Sequence, residues 1–208
     1  MQPSSDGIPQ VVWNELGPRD HFCQFYDQDE TLLDTVEGFL GPGMECGDSA
    51  IIIATTPHLV ALEQRFRDRG IDIDQAMACD QYMALDAAET LAKFMNKGWP
   101  DQGTFLEVVH EIIARASAGN RRVRAFGEMV SLLWESGNKT ATIRLEKLWN
   151  DLGRAEKFSL FCAYPATAFS AVGCQGSLND IHAAHSRVIS ATGEFESLVA
   201  RKRIAQQS

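Results

Sequence analysis

Apolar residues along the chain alternate between short strand-like runs and longer stripes of helical period. His21–Tyr26, with Phe22, Phe25 and Tyr26, predicts a first strand. Leu32, Leu33, Val36, Phe39 and Leu40 predict a helix over residues 29–40. That helix is expected to stop at Gly41-Pro42-Gly43, because proline cannot continue it and glycine tolerates a left-handed exit. Ser49–Thr55 is the Ile-rich run of a strand buried on both faces. Pro57 suits the first turn of a helix carrying Leu59, Leu62 and Phe66 and ended by Gly70. Tyr82–Leu85 predicts a short strand, and Leu91, Phe94 and Met95 mark the helix after it. Phe105, Val108, Val109, Ile112 and Ile113 form one stripe of a helix over residues 102–118. Arg122–Phe126 reads as a strand, followed by helices over Val130–Glu135 and Thr140–Leu152, the second with Leu145, Leu148, Trp149 and Leu152 on one face. Phe158–Tyr164 is a further buried strand, closed by Pro165.

Strands separated by helical segments of this length imply parallel crossovers with helices on both sheet faces. The predicted fold is therefore a three-layer α/β sandwich around a mostly parallel sheet. Beyond Pro165 the chain becomes rich in Gly and Ser (Gly173, Gly176, Ser177), then offers two short helical pieces around 178–189 and 193–205. These either pack on the core or swap into a second copy, which makes a homodimer an expected arrangement. The organisation expected is a flexible arm over 1–19, an α/β domain over 20–165, and a linker with helices over 166–208.

Composition narrows the class. With 208 residues and 45% hydrophobic content, the chain can bury a core without metal or disulfide staples. Its 19 basic and 28 acidic residues leave a net charge of −9, and no basic run opposes that balance, so direct DNA binding is not expected. No apolar run approaches a bilayer span, and residues 1–10 lack the features of a secretory signal. The five cysteines, an odd number with no CxxC pair, fit free thiols in a reducing compartment. A cytoplasmic protein that does not engage membranes is the expectation.

Familiar phosphate-binding motifs are absent. Gly137-Asn138-Lys139-Thr140 has only the tail of a P-loop, and Gly41-Pro42-Gly43 with Gly47 precedes a strand where a dinucleotide motif would follow one. No GxSxG elbow, HExxH helix or EF-hand loop occurs either. No cofactor is identifiable.

Several segments together resemble the MEDS family, the methanogen/methylotroph sensory domain. They are His21-Phe22-Cys23-Gln24-Phe25-Tyr26, Ile51–Thr55 with Pro57-His58, Leu85-Asp86-Ala87-Ala88-Glu89-Thr90-Leu91, Arg124–Val130 with Leu133-Trp134, Arg144–Asn150, and Phe158–Pro165. The ordered series spans roughly residues 20–165, and Ile181–Val188 is similar to the family's usual continuation. The resemblance implies a RecA/KaiC-like fold that lacks its P-loop and senses small molecules. Relatives carry a DNA-binding or transmitter domain; with roughly twenty residues before the match and forty after it, no such module is expected here. The signal is therefore expected to leave through a partner, such as a histidine kinase or a regulator.

Ligands of open parallel sheets collect at the carboxyl ends of the strands. That rule gathers Tyr26, Thr55, His58, Asp86, Glu128 and Tyr164 at one rim. Glu128 is the leading candidate, since it follows a strand and adjoins Gly127; the alternative is an ordinary acidic residue at a helix start. Trp134 either walls the same pocket or belongs to the core. His21 and His185 complete the ligand-binding set. A metal site built from His21, Cys23, His182 and His185 is conceivable, but no pair has metal-finger spacing, and the expectation is no metal. Cys162 reads as an inert core thiol, and Glu146 with Asn150 as a surface pair on the polar flank of its helix. Arg121, Arg122 and Arg124 read as a solvated edge. The function expected is a non-catalytic small-ligand sensory module in bacterial signalling or transcriptional regulation. The alternatives are a protein-binding adaptor or an enzyme using Glu128 as general base.

Overall fold

The computed structural model describes Trp13 and residues 17–169, 175–189 and 195–197. Most of the expected N-terminal arm, Cys174 and residues 198–205 lie outside the described residues. In chain order the elements are β1 (His21–Tyr26), α1 (Asp29–Glu45), β2 (Ser49–Ala54), α2 (Thr56–Asp68), α3 (Ile73–Ala78) and β3 (Tyr82–Asp86). They continue with α4 (Ala87–Ala92), β4 (Met95–Asn96), β5 (Trp99–Pro100), α5 (Gln102–Ala116), β6 (Val123–Gly127) and α6 (Met129–Glu135). The last are α7 (Lys139–Ala155), β7 (Phe158–Pro165), α8 (Gln175–Ala184), β8 (Arg187–Ile189) and β9 (Phe195–Ser197).

One sheet runs in the order β3-β2-β6-β7-β1-β8-β9. Every neighbouring pair from β3 to β8 is parallel, and β9 closes the edge antiparallel to β8. The α/β sandwich expected from the alternation is the fold observed. Because successive side chains of a strand point to opposite faces, each strand feeds two cores. Phe22, Ile52, Phe126 and Phe161 pack on one face with Leu32, Val36, Phe39 and Leu40 of α1 and Leu62 and Phe66 of α2. Cys23, Ile51, Ala125, Leu160, Cys162 and Tyr164 face the other side, toward α4 to α8. Trp13, inside the expected arm, packs its ring on Phe22 and Phe39 at centroid distances of 5.8 and 5.4 Å.

Three local expectations are corrected. Helix α1 does not stop at Gly41-Pro42-Gly43 but runs through it to Glu45. The glycines are there for close approach: a Cβ on Gly43 would stand 2.5 Å from Nε of Arg124, and one on Gly41 would stand 2.8 Å from Nε of Arg69. Arg124 lies across α1 to donate to Asp48 (2.8 Å) and to the Phe39 carbonyl (2.8 Å), so it is a buried strut rather than part of a solvated edge. Second, Phe94 and Met95 lie beyond α4, at and just before the small β4–β5 hairpin. Third, the segments expected to be helical near 187 and 195 are β8 and β9, which extend the sheet past Pro165. Short strands of three residues carry too little periodicity to announce themselves. Cys23, Cys46, Cys79 and Cys162 are free thiols, as expected.

Candidate functional site

The structure divides the sequence-derived site residues between two places. The first is the carboxyl rim of the sheet. Strand β6 ends at Gly127, and Glu128 follows with its backbone N–H donating to the Ile53 carbonyl of β2 at 2.9 Å. This anchors a buried carboxylate where β2 gives way to α2. Glu128 accepts from the Thr55 backbone N–H at 2.8 Å, from Thr55 Oγ1 at 3.3 Å, and from His58 Nδ1 at 2.7 Å. His58 Nε2 then stands 3.6 Å from Asp29, which is exposed at the start of α1. The hydrogen bond to Glu128 raises the His58 pKa above its ordinary value, overcoming partial burial. Tyr26, at the end of β1, is raised as well, by burial first and then by Glu128 and Asp29.

These contacts join the ends of β2 and β6 and the starts of α1 and α2 through one carboxylate and one imidazole. Space adjoins them, since a Cβ on Gly127 would meet no other heavy atom within 4 Å beyond its chain neighbours. Strand β1 passes into α1 through Asp27-Gln28 alone, without glycine, so the connection cannot form the Gly-rich cradle of a P-loop. Asp86 is also near this edge but serves its own helix. It caps α4 by accepting from the N–H groups of Ala88 and Glu89 at 2.9 and 3.0 Å, and accepts from Thr56 Oγ1 at 2.9 Å. Those bonds hold its carboxyl below the usual carboxylate range.

The second place lies beneath α7, on the sheet face opposite α1. Here Glu146 is fully buried, which overturns its reading as a surface residue. Tyr164 donates its hydroxyl to Glu146 Oε1, so this residue, expected at the rim, turns toward the buried set instead. His21 Nε2 is 3.3 Å from both Glu146 Oε2 and Cys162 Sγ. His185 Nε2 is 3.4 Å from Glu146 Oε1, and the two imidazole centroids are 4.2 Å apart. Asn150, one turn along α7, accepts from His21 Nδ1 at 3.1 Å and donates to the Ala184 carbonyl at 2.7 Å.

Burial pulls His21 down to about 4, with His185 adding to the effect. Burial opposes a charge on His185 too, but the Cys23 thiol and the Glu146 carboxylate raise it well above its ordinary value. Burial alone would raise Glu146; the nearby His185 first, then His21 and the hydrogen bond from Tyr164, bring it down to about 2. Burial first, then Glu146, pushes the Cys162 thiol far up. One proton on His185, balanced by an ionised Glu146, is the arrangement these neighbours favour.

The remaining assignments follow from position. Trp134 is core, its ring edge-on to Tyr164 at 6.4 Å. His182, half-buried, sets its ring 5.3 Å from that of Phe25, and His185 lies just beyond the end of α8. The two do not act as a helical pair of ligands. Sequence reasoning missed Glu146, whereas Cys162 is the buried free thiol it was read to be. The signal available was that Glu146 stands four residues after Thr142 and three before Trp149, both facing the core. A cavity of about 280 Å³ at the amino ends of β1 and β7 reaches this second place, with His21, Asn150, Arg19, Asp20 and Arg154 on its walls.

The comparisons with known proteins agree with this architecture. The model of the MEthanogen/methylotroph, DcmR Sensory domain matches residues 20–186. The chain belongs to the MEDS family. No curated protein matches the sequence. Among solved structures, a KaiC-like protein from the hyperthermophilic archaeon Pyrococcus horikoshii OT3 is similar in fold. It is 12% identical, with a TM-score of 0.56 over 83% of this chain and 72% of that one. The MEDS match and the sheet order together account for the RecA/KaiC-like fold expected from the resemblance, and the MEDS match suggests a sensory role. No helix among the described residues is long and apolar enough to cross a membrane.

Proposed function

We propose that this MEDS protein is a non-catalytic sensory module that binds a small molecule at the carboxyl rim of its sheet and signals through a partner protein. The observation that carries the reading is Glu128, a buried carboxylate at a strand end that holds β2 and α2 to β6 through Thr55 and His58. A ligand entering beside Gly127 and bonding His58 competes with Glu128 for it. The bound state then differs from the free one in how α2 and α1 sit against the sheet, which is the differential interaction a switch requires. The sensory character of the family supports the same reading. A histidine kinase or a transcriptional regulator suits the partner's role.

The experiment is native mass spectrometry of freshly purified protein beside the same sample denatured. A non-covalent adduct in the wild type that is absent from a folded Glu128→Ala variant is the expected result. An adduct that survives in Glu128→Ala would remove the ligand from the rim. Turnover of a substrate, abolished by Glu128→Gln with the fold intact, would replace the sensor by an enzyme.

A further inference from the structure

We propose that His21, Glu146, Cys162 and His185 form a binding site for a divalent cation of the zinc class. Each residue turns one metal-binding atom inward, and these four atoms lie within 4.8 Å of one another. Tetrahedral bonds of about 2.0–2.3 Å place neighbouring donors about 3.3–3.8 Å apart. The separations of His21 Nε2 from Cys162 Sγ and from Glu146 Oε2 are 3.3 Å. Cys162 Sγ is 3.9 Å from Glu146 Oε2. His21, Cys162 and Glu146 therefore already stand close to three corners of a coordination tetrahedron, with His185 Nε2 within 4.8 Å of them.

The outer contacts fix the imidazoles for this purpose. His185 Nδ1 is 2.7 Å from the Ile181 carbonyl, which only accepts, so Nδ1 carries a hydrogen. Asn150 spends its amide N–H on the Ala184 carbonyl and turns Oδ1 to His21 Nδ1, which must donate as well. Once His185 gives up its extra proton to a metal, both rings are neutral and each Nε2 lone pair points into the same buried space as the Glu146 carboxylate. Without a metal, the hydrogens available to this space are those of the Cys162 thiol, the Tyr164 hydroxyl and a proton on His185; a cation replacing the first and the last would engage both Nε2 atoms, the thiolate and the carboxylate at once. His185 Nε2 is buried and makes no hydrogen bond of ordinary geometry, which leaves an atom aimed at the site and unsatisfied.

Charge and ligand softness select the ion. A doubly charged cation with one thiolate and one carboxylate sums to zero, the balance a buried site requires. Thiolate with two imidazoles suits zinc and disfavours magnesium or calcium. On binding, the Cys162 proton and any proton on His185 leave to solvent, so uptake releases protons. Glu146 would coordinate through Oε2 while Oε1 keeps the hydroxyl of Tyr164. His21 lines the cavity of about 280 Å³, which gives the ion an approach.

The test uses the full chain, stripped by chelator and reloaded with Zn²⁺ or Co²⁺. We expect one Zn²⁺ per chain, and a Co²⁺ form with tetrahedral visible bands and a near-ultraviolet thiolate-to-cobalt band. Cys162→Ser should lose that band. His185→Gln should weaken Zn²⁺ binding at least about 100-fold, and Asn150→Ala, which supplies no donor, about 10–100-fold. If a variant fails to fold, the wild-type stoichiometry and cobalt spectrum decide. Folded wild-type protein that retains no stoichiometric Zn²⁺ and gives no thiolate band would overturn the site and leave His185 as a buried imidazolium paired with Glu146. A thiolate band that persists in Cys162→Ser would place the ion elsewhere. The site is independent of the rim, so its failure would leave the Glu128 reading standing, and the reverse.

Discussion

The protein holds two carboxylate–imidazole assemblies, and they differ mainly in what surrounds them. At the rim, Glu128 meets His58, whose far nitrogen looks toward exposed Asp29 and solvent. Under α7, buried Glu146 meets two buried histidines, a thiol and a phenol, reached from outside only along the cavity beside His21. The rim pair is an ordinary proton-sharing contact that a ligand or pH can disturb. In the buried set, no charge can be left unmatched without large cost. The same two functional groups thus suit a responsive position in one place and a fixed centre in the other.

Removing each carboxylate should separate the two most widely. Glu146→Ala strands His185 and the Tyr164 hydroxyl in the core and is expected to cost about 3–5 kcal/mol, the range for breaking a buried pair. Glu128→Ala frees groups that water can reach, and about 1–3 kcal/mol is expected. Urea titrations of the two variants check the ranking, and equal losses would erase the distinction. A smaller effect should come from Asp86→Ala, which lies at the same edge as Glu128 but only caps a helix; about 1 kcal/mol is expected by the same titration.

The pH response sharpens the contrast at its subtlest. His58 holds its proton more tightly folded than unfolded, so its contribution is fully present below the ordinary value of 6.5 and is lost as pH rises through the folded-state value. Melting curves of wild type and His58→Ala should therefore lie furthest apart below pH 6.5 and converge above the folded-state value. A gap that widens with rising pH would contradict the Glu128–His58 contact.

The order of strands and helices was legible because parallel strands are continuous apolar runs and amphipathic helices have a clear stripe, as at Ser49–Ala54 and Lys139–Ala155. The rim was legible for the same reason: a residue after a strand is placed by the strand, which is how Glu128 and His58 could be brought together. The buried set was not. Its members come from the start of β1, the middle of α7, the middle of β7 and the turn after α8, and only the tertiary fold makes them neighbours. Glu146 hides on a helix where a single acidic residue beside the apolar stripe resembles a solvated flank. Gly41-Pro42-Gly43 misled because local propensity favours a helix end, while the arginines packed over the glycines need that backbone to stay helical.

Strand β1 sits between β7 and β8, so the first strand of the sheet finds both neighbours among the last. His21 meets Cys162 across 141 residues of chain, and Ser186 bonds the His21 carbonyl across 165. Closing loops of that length is slow compared with forming local structure. During synthesis strand β1 therefore waits for the segments near residues 160 and 188 to emerge. The four inward-facing donors are then assembled in the last step of folding, so a properly formed set certifies that the whole domain has closed.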